Sequence, residues 1–294
     1  MNIALIGFGE VGRVLAEDLA TGSTGNTLAA WDIAFDDPDS RAAHNARELP
    51  VRAATDAVDA VRSAELVISA VTAANDLSAA RDVATALAPT TWFLDLNSAS
   101  PAQKKEASEL IDEVGGRYVE AAVLSPIYPK RSSSPILLGG PHASEFVETA
   151  RGLGFSGAEF FAPTVGPASA TKLCRSVVVK GLEALLMESM LTARMWGVEK
   201  PVLDSLANLL PAADWAELAD YMIRRSIEHG GRRSEEMMEA AATVRDADVD
   251  ALMATATARR QAWAGDQRDA LAANELGDLL DAIRAARTNW TAQA

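Results

Sequence analysis

Asn2-Ile3-Ala4-Leu5-Ile6-Gly7-Phe8-Gly9-Glu10-Val11-Gly12 is the stretch from which the rest of the chain can be read. Asn2 to Ile6 is a short apolar run of strand length, and Val11, Val14, Leu15 and Leu19 recur behind it at helical spacing. The turn between them reads G-x-G-x-x-G. Glycine at Gly7 permits a tight turn, at Gly9 lets the backbone approach a pyrophosphate, and at Gly12 lets the helix pack close to the strand. The start of the helix adds unpaired N–H groups and the positive end of its dipole. Asp32 stands twenty residues after Gly12, closing a second apolar run, Leu28 to Trp31, where its carboxylate would accept from ribose hydroxyls. This is the dinucleotide fingerprint in its required context, with Gly7, Phe8, Gly9, Glu10, Val11, Gly12 and Asp32 as cofactor-binding positions. A 2′-phosphate would be repelled by Asp32, and no arginine follows it directly, so NAD is expected over NADP. The plainer readings are a glycine turn without a ligand and a solvated acid at a strand end.

Working outward, Glu65 to Val71, Trp92 to Leu96, Tyr118 to Leu124, Ile136 to Leu138 and Glu159 to Phe161 are further strand candidates. Polar or alanine-rich helical segments separate them, a pattern that predicts a parallel sheet covered on both faces. The character changes at Pro163-Thr164-Val165-Gly166-Pro167. Ala168 to Trp196 then reads as one helix about 40 Å long at the usual helical rise. Pro201, Pro211 and the Gly230-Gly231 pair are expected to divide the remainder into further helices. The expected fold class is α/β, an N-terminal Rossmann doubly wound sheet (residues 1–165) followed by an all-α domain (residues 166–294).

Composition narrows the function classes. The 294 residues carry 27 basic and 41 acidic side chains, a formal charge of −14. Such a surface repels phosphates and anionic membranes, so no nucleic-acid partner is expected. One cysteine, Cys174, excludes a disulfide framework, and three scattered histidines (His44, His142, His229) argue against a metal centre. The most apolar long stretch, Ser176 to Val198, is interrupted by Lys180, Glu183, Glu188 and Arg194, which no membrane span would tolerate. Without a basic, apolar leader after Met1, the chain is expected to be cytoplasmic.

Two further regions carry candidate chemistry. In Asp95-Leu96-Asn97-Ser98-Ala99-Ser100-Pro101, Ser100 and Pro101 suit the start of a helix. Asn97 and Ser98 would then present polar groups at the C-terminal edge of the sheet, where ligands of such sheets bind; a plain capping turn reads equally well. Lys172 begins a stripe, Lys172, Ser176 and Lys180, on one face of an otherwise apolar helix. A buried lysine beside another cation loses proton affinity and becomes a base near neutral pH, whereas a snorkelling surface lysine does not. Cys174, on another face, reads as core, and Met187, Met190, Met195 and Trp196 as helix packing or a subunit interface.

The sequence resembles the β-hydroxyacid dehydrogenase family, which includes 6-phosphogluconate and 3-hydroxyisobutyrate dehydrogenases. It is most like the short 6-phosphogluconate-dehydrogenase-like proteins with a C-terminal helical domain of unassigned function. Four stretches carry the likeness: Gly7 to Gly12; Asp95 to Pro101, matching D-x-N-T-x-S-P with Ser98 for Thr; Gly166 to Lys172; and His229 to Met237. The resemblance implies Lys172 as general acid/base, Asn97 and Ser98 against substrate or nicotinamide, and Val71 and Thr72 beside the cofactor. It also implies a homodimer in which one subunit's helical half completes the other's cleft. Ser125, Ser176, Lys180 and Arg232 are the remaining substrate-binding candidates, for a small and anionic substrate.

Two positions depart from the family. Ser176 replaces an Asn that often follows the lysine by four residues, and Leu124-Ser125-Pro126-Ile127-Tyr128-Pro129 replaces the S-G-G loop, keeping only Ser125. Arg175, Lys130 and Arg131 are either ligands of a substrate carboxylate or phosphate or solvated charges, and His229 is either a polar contact or a helix C-terminal residue. The expected function is hydride transfer between NAD(P) and a small 3-hydroxy acid. An imine reductase shares this architecture but generally carries Asp or Tyr at the Lys172 position. A non-catalytic dinucleotide-binding regulator would account for Ser176 and the lost glycines.

Overall fold

The computed structural model describes residues 1–22, 25–208, 211 and 214–291. Eight strands are formed: β1 (Asn2–Ile6), β2 (Thr27–Trp31), β3 (Arg52–Ala53), β4 (Leu66–Ser69), β5 (Trp92–Asp95), β6 (Arg117–Val123), β7 (Ile136–Gly139) and β8 (Ala158–Ala162). The helices between them are α1 (Glu10–Gly22), α2 (Arg41–Glu48), α3 (Ala57–Val61), α4 (Asp76–Ala84), α5 (Pro101–Glu113) and α6 (Ala143–Gly152). The sheet order is β3-β2-β1-β4-β5-β6-β7-β8. The chain therefore winds outward from β1 in both directions, the doubly wound arrangement expected of the sequence.

Alternation along β1 shows why the sheet is covered twice. Ile3 and Leu5 pack with α1, α2 and α6 on one face. Ala4 and Ile6 pack with α3, α4 and α5 on the other. Such strands are apolar on both faces, as Leu66, Val67 and Ile68 of β4 also are. All pairings are parallel except β6 with β7. The expected all-parallel sheet is corrected here, because no α-helix lies between β6 and β7, and a direct return can only be antiparallel.

Five helices follow: α7 (Pro167–Trp196), α8 (Glu199–Leu206), α9 (Trp215–Asp246), α10 (Leu252–Gly265) and α11 (Leu276–Thr291). By internal packing the chain divides into Met1–Leu173 and Cys174–Ala294, a division that falls within α7. The first turn of α7 belongs to the sheet unit because Ala168 packs with Ala122 and Leu137. The helical unit has its own core of Leu186, Met187, Met190, Trp215, Ile223, Ile227, Leu279 and Leu280.

Three sequence expectations are corrected in this half. Gly230-Gly231 does not divide helices: α9 runs through both. A Cβ on Gly230 would overlap the Gln261 carbonyl oxygen of α10 and stand 2.5 Å from Gly265 N, so the glycine serves a close helix crossing. Helical backbone bonds tolerate glycine at about 1 kcal/mol, less than the packing gained. His229 is consequently mid-helix, not at a C-terminus. Cys174 is exposed, not core. Met187 and Met190 are buried as expected of helix packing, while Met195 and Trp196 are exposed.

Candidate dinucleotide and catalytic site

The turn after β1 has the geometry its glycines require. Gly7 has φ +92°, and a Cβ there would collide with the Ala70 carbonyl oxygen at the end of β4. A Cβ on Gly12 would collide with the Gly7 carbonyl oxygen, so helix and turn touch through backbone. Gly9 differs: nothing lies within 4 Å of the position its Cβ would take. The open side of the turn is thus at Gly9, just before the first residue of α1, where N–H groups point outward. A phosphate group fits this cradle. Glu10 is exposed and Val11 half-buried at its rim. Phe8 offers only backbone, since its ring is buried edge-on to Phe35 with centroids 6.0 Å apart.

Asp32 holds the turn as well as facing it. Its Oδ2 accepts from Phe8 N–H (2.6 Å) and its Oδ1 from Ala34 N–H (2.9 Å). A carboxylate has about four lone-pair sites, so two remain open. Asn45 Nδ2 reaches the Phe8 carbonyl (3.4 Å) from α2.

Asn97 sits at the sheet edge, as its position after β5 predicts, but its side chain is turned inward. Its Oδ1 accepts from Val71 N–H (2.7 Å), and its Nδ2 donates to Ser69 Oγ (2.9 Å) and Asp76 Oδ1 (2.6 Å). It is buried, and its Oδ1 holds the Val71 backbone N–H. Ser98 is half-buried beside it, and Thr72 is exposed. Ser100 is the N-cap residue of α5 by backbone, without a side-chain cap bond, and Pro101 takes the first turn as expected.

Lys172 lies half-buried on the second turn of α7. That helix start is fastened to the sheet: Glu120 on β6 accepts from Gly166 N–H (2.9 Å) and Ser169 N–H (2.8 Å). A buried carboxylate on two N–H groups at a helix N-terminus is a strong cap. A Cβ on Gly166, φ +121°, would stand 3.5 Å from the Pro101 side chain, which brings the start of α7 beside the start of α5. No helix among the described residues is long and apolar enough to cross a membrane.

Residues 2–153, just over half of the chain, match the family model described as the NAD binding domain of 6-phosphogluconate dehydrogenase. The chain belongs to this family. Residues 193–264 also match a domain of unknown function (DUF1932). A conserved hypothetical protein from Sinorhizobium meliloti is 35% identical, with 96% of this chain and 95% of that one covered and a TM-score of 0.73. A conserved protein of unknown function, described as structurally similar to 3-hydroxyacid dehydrogenases, is 30% identical over 90% of this chain and 97% of its own, with a TM-score of 0.68. The Mycobacterium tuberculosis 3-hydroxyisobutyrate dehydrogenase shares the fold at 19% identity, over 97% and 99% of the two chains, with a TM-score of 0.69. The chain thus has an NAD(P)-binding, 3-hydroxyacid-dehydrogenase-like fold.

Within this 6-phosphogluconate-dehydrogenase-like frame the other candidates separate. Ser176, Lys180 and Arg232 do converge, but on Glu236: Lys180 pairs with Glu236 and donates to Ser176 Oγ (3.3 Å), and Arg232 pairs with the same carboxylate. Burial pushes the Lys180 amine below the usual lysine range against the pull of Glu236. Lys180 and Ser176, expected as substrate ligands, lie in a buried ion cluster within the helical unit. Arg233, Glu183 and Gln261 extend that cluster. Arg232 is half exposed. Burial pushes the His229 imidazole down, and Glu228 lies 3.3 Å from it. Arg131, read as either a ligand or a solvated charge, pairs with Glu17 (2.8 Å) and Asp18 (2.7 Å) of α1 and holds Glu17 below the usual carboxylate range. Lys130 and Arg175 are exposed, and Ser125 bonds locally to the Pro126 carbonyl (3.1 Å).

Sequence reasoning missed Glu120, Lys104, Asp76 and Tyr118. Lys104 is buried, 2.5 Å from Asp95, whose other oxygen accepts from Tyr118 (2.6 Å). The available signal was a charged residue in an apolar strand, Glu120 within Tyr118-Val119-Glu120-Ala121-Ala122, since such a charge demands a partner.

Proposed function

We propose that the chain is an NAD(P)-dependent oxidoreductase that moves hydride between the nicotinamide and the carbinol carbon of a small, anionic 3-hydroxy acid. In this reading Lys172 is the general acid/base, NAD is preferred, and the working form is a cytoplasmic homodimer. The observation that carries the reading is the glycine turn: Gly7 and Gly12 admit no side chain, and Gly9 faces open space before α1. The dinucleotide, when bound, supplies the hydride acceptor for oxidation and the donor for reduction.

The chain's own residues do the rest. Backbone N–H groups at the start of α1 take the pyrophosphate, and Asp32 takes the ribose hydroxyls and discourages a 2′-phosphate. Asn97 keeps the Val71 backbone against the turn. Neutral Lys172 Nζ accepts the substrate hydroxyl proton as the C–H electron pair departs as hydride; in reduction the protonated Nζ returns a proton to the carbonyl oxygen. Glu120 sets the helix on which Lys172 rides.

A nicotinamide absorbance assay tests this by crossing 3-hydroxy acids, their phosphates and cyclic imines with NAD(H) and NADP(H). Hydroxy-acid turnover that falls by about 100-fold or more in Lys172→Ala is the expected result. Imine reduction that survives the substitution would move the protein to the reductases. Cofactor binding with no turnover anywhere in a broad panel would favour a regulator.

A further inference from the structure

Asp76, the first residue of α4, is 1% exposed, yet no donor of the chain reaches its Oδ2. An ionised carboxylate with an orphaned oxygen away from water is costly, and a neutral carboxyl group far less so. The titratable groups that face it are Asp95 on β5, Lys104 on α5 and Tyr118 on β6. Lys104 is already 2.5 Å from Asp95, and Tyr118 donates its hydroxyl to Asp95 as well. One lysine cannot neutralise two adjoining carboxylates, so the pair retains a proton. Burial first, and the Asp95 charge second, push the Asp76 carboxyl up to about 7.

From Asp76 a chain of contacts leads to the glycine turn. Asn97 straddles the two acids, with its backbone N–H on Asp95 Oδ1 (2.9 Å) and its Nδ2 on Asp76 Oδ1 (2.6 Å). That orientation leaves Asn97 Oδ1 to receive Val71 N–H (2.7 Å). Val71 Cγ1 in turn packs 3.0 Å from where a Cβ on Gly7 would stand.

We propose that Asp76 is a positioning residue of the dinucleotide site, acting in its protonated form through Asn97 to hold the Val71 backbone against the glycine turn. The proposal rests on the cofactor reading above. Loss of the proton sets two negative charges beside each other with Asn97 bonded to both, and their repulsion displaces the Val71 amide. Cofactor affinity then falls as pH rises through neutrality. The folded chain also holds a proton that the unfolded chain releases above about pH 4, so stability declines from there to about pH 7 and levels off beyond.

The test is calorimetric titration of the whole chain with NADH and NADPH between about pH 5.5 and 8.5, beside thermal unfolding without nucleotide. It compares wild type with Asp76→Asn and Asp76→Ala. Asn keeps the acceptor for Asn97 and donates to Asp95 in place of the acid proton, whereas Ala removes both. Wild-type affinity is expected to fall about fivefold across this range, with Asp76→Asn flat at the acidic value and Asp76→Ala weak throughout. The gap in unfolding temperature between Asp76→Asn and wild type should widen from pH 5.5 to 7. Identical pH profiles in wild type and Asp76→Asn would overturn the positioning role while leaving cofactor binding intact. No binding of either nucleotide at any pH would overturn the cofactor reading and the positioning role with it, and a retained unfolding gap would mark the failure as the former's.

Discussion

Gly9 and Gly12 are one residue type held for opposite reasons, and substitution should separate them. Gly12→Ala forces a Cβ into the Gly7 carbonyl and should cost about 1–3 kcal/mol of stability as well as cofactor binding. Gly9→Ala meets no protein atom, so the unfolding temperature should barely change while NADH affinity drops, because the methyl occupies the space a phosphate would use. Thermal unfolding and titration calorimetry on the two variants check this; equal loss of stability in both would remove the argument that Gly9 is the open side. At this scale the sequence was most legible where backbone geometry alone dictates the residue, as in Gly7, Gly12 and Asp32. It was least legible at Asp76, Lys104 and Glu120. Each is an ordinary charged residue in sequence, and its burial and partner arise only when β5, β6 and α5 come into register.

The α9–α10 crossing places the same kind of contrast between whole helices. Gly230→Ala should cost about 2–4 kcal/mol, since backbone atoms of α10 have nowhere to move, whereas Gly231→Ala, with open space around it, should stabilise by about 0.5–1 kcal/mol. Opposite shifts in denaturant midpoint are the expected outcome, and a shared sign would mean the helices do not meet through Gly230. Glu120 makes the parallel case for α7: Glu120→Ala leaves two buried N–H groups unpaired and should cost about 2–3 kcal/mol, with Glu120→Gln recovering part of it. Most elements were readable from periodicity, including seven strands and the long α7. The two-residue β3 was too short for any pattern to register. The reversal of β7 depended on the absence of an intervening α-helix, and the continuity of α9 on a packing contact that adjacent glycines conceal.

For the molecule as a whole, the charge of −14 and the division into a sheet unit and a helical unit set the terms. A dinucleotide that binds only the folded chain stabilises it by mass action, about 2.7 kcal/mol at 100 times its Kd. NADH is therefore expected to raise the unfolding temperature by several degrees in scanning calorimetry, and to do so more than NADPH at equal concentration. An unchanged transition at millimolar nucleotide would contradict the cofactor reading. The change from sheet to helices was legible because glycine punctuation and strand periodicity stop together near residue 165. The division inside α7 was not, because it depends on Ala168 and the Glu120 cap, tertiary contacts with no local signature. The glycine crossing at Gly230 and Gly265 carries a mechanical consequence. Two helices in backbone contact cannot slide along each other without driving a side chain of one into the main chain of the other. The hairpin of α9 and α10 is therefore a stiff plank. Any rearrangement of the helical half must carry Glu236, Arg232 and Gln261 together, as a single part with no internal play.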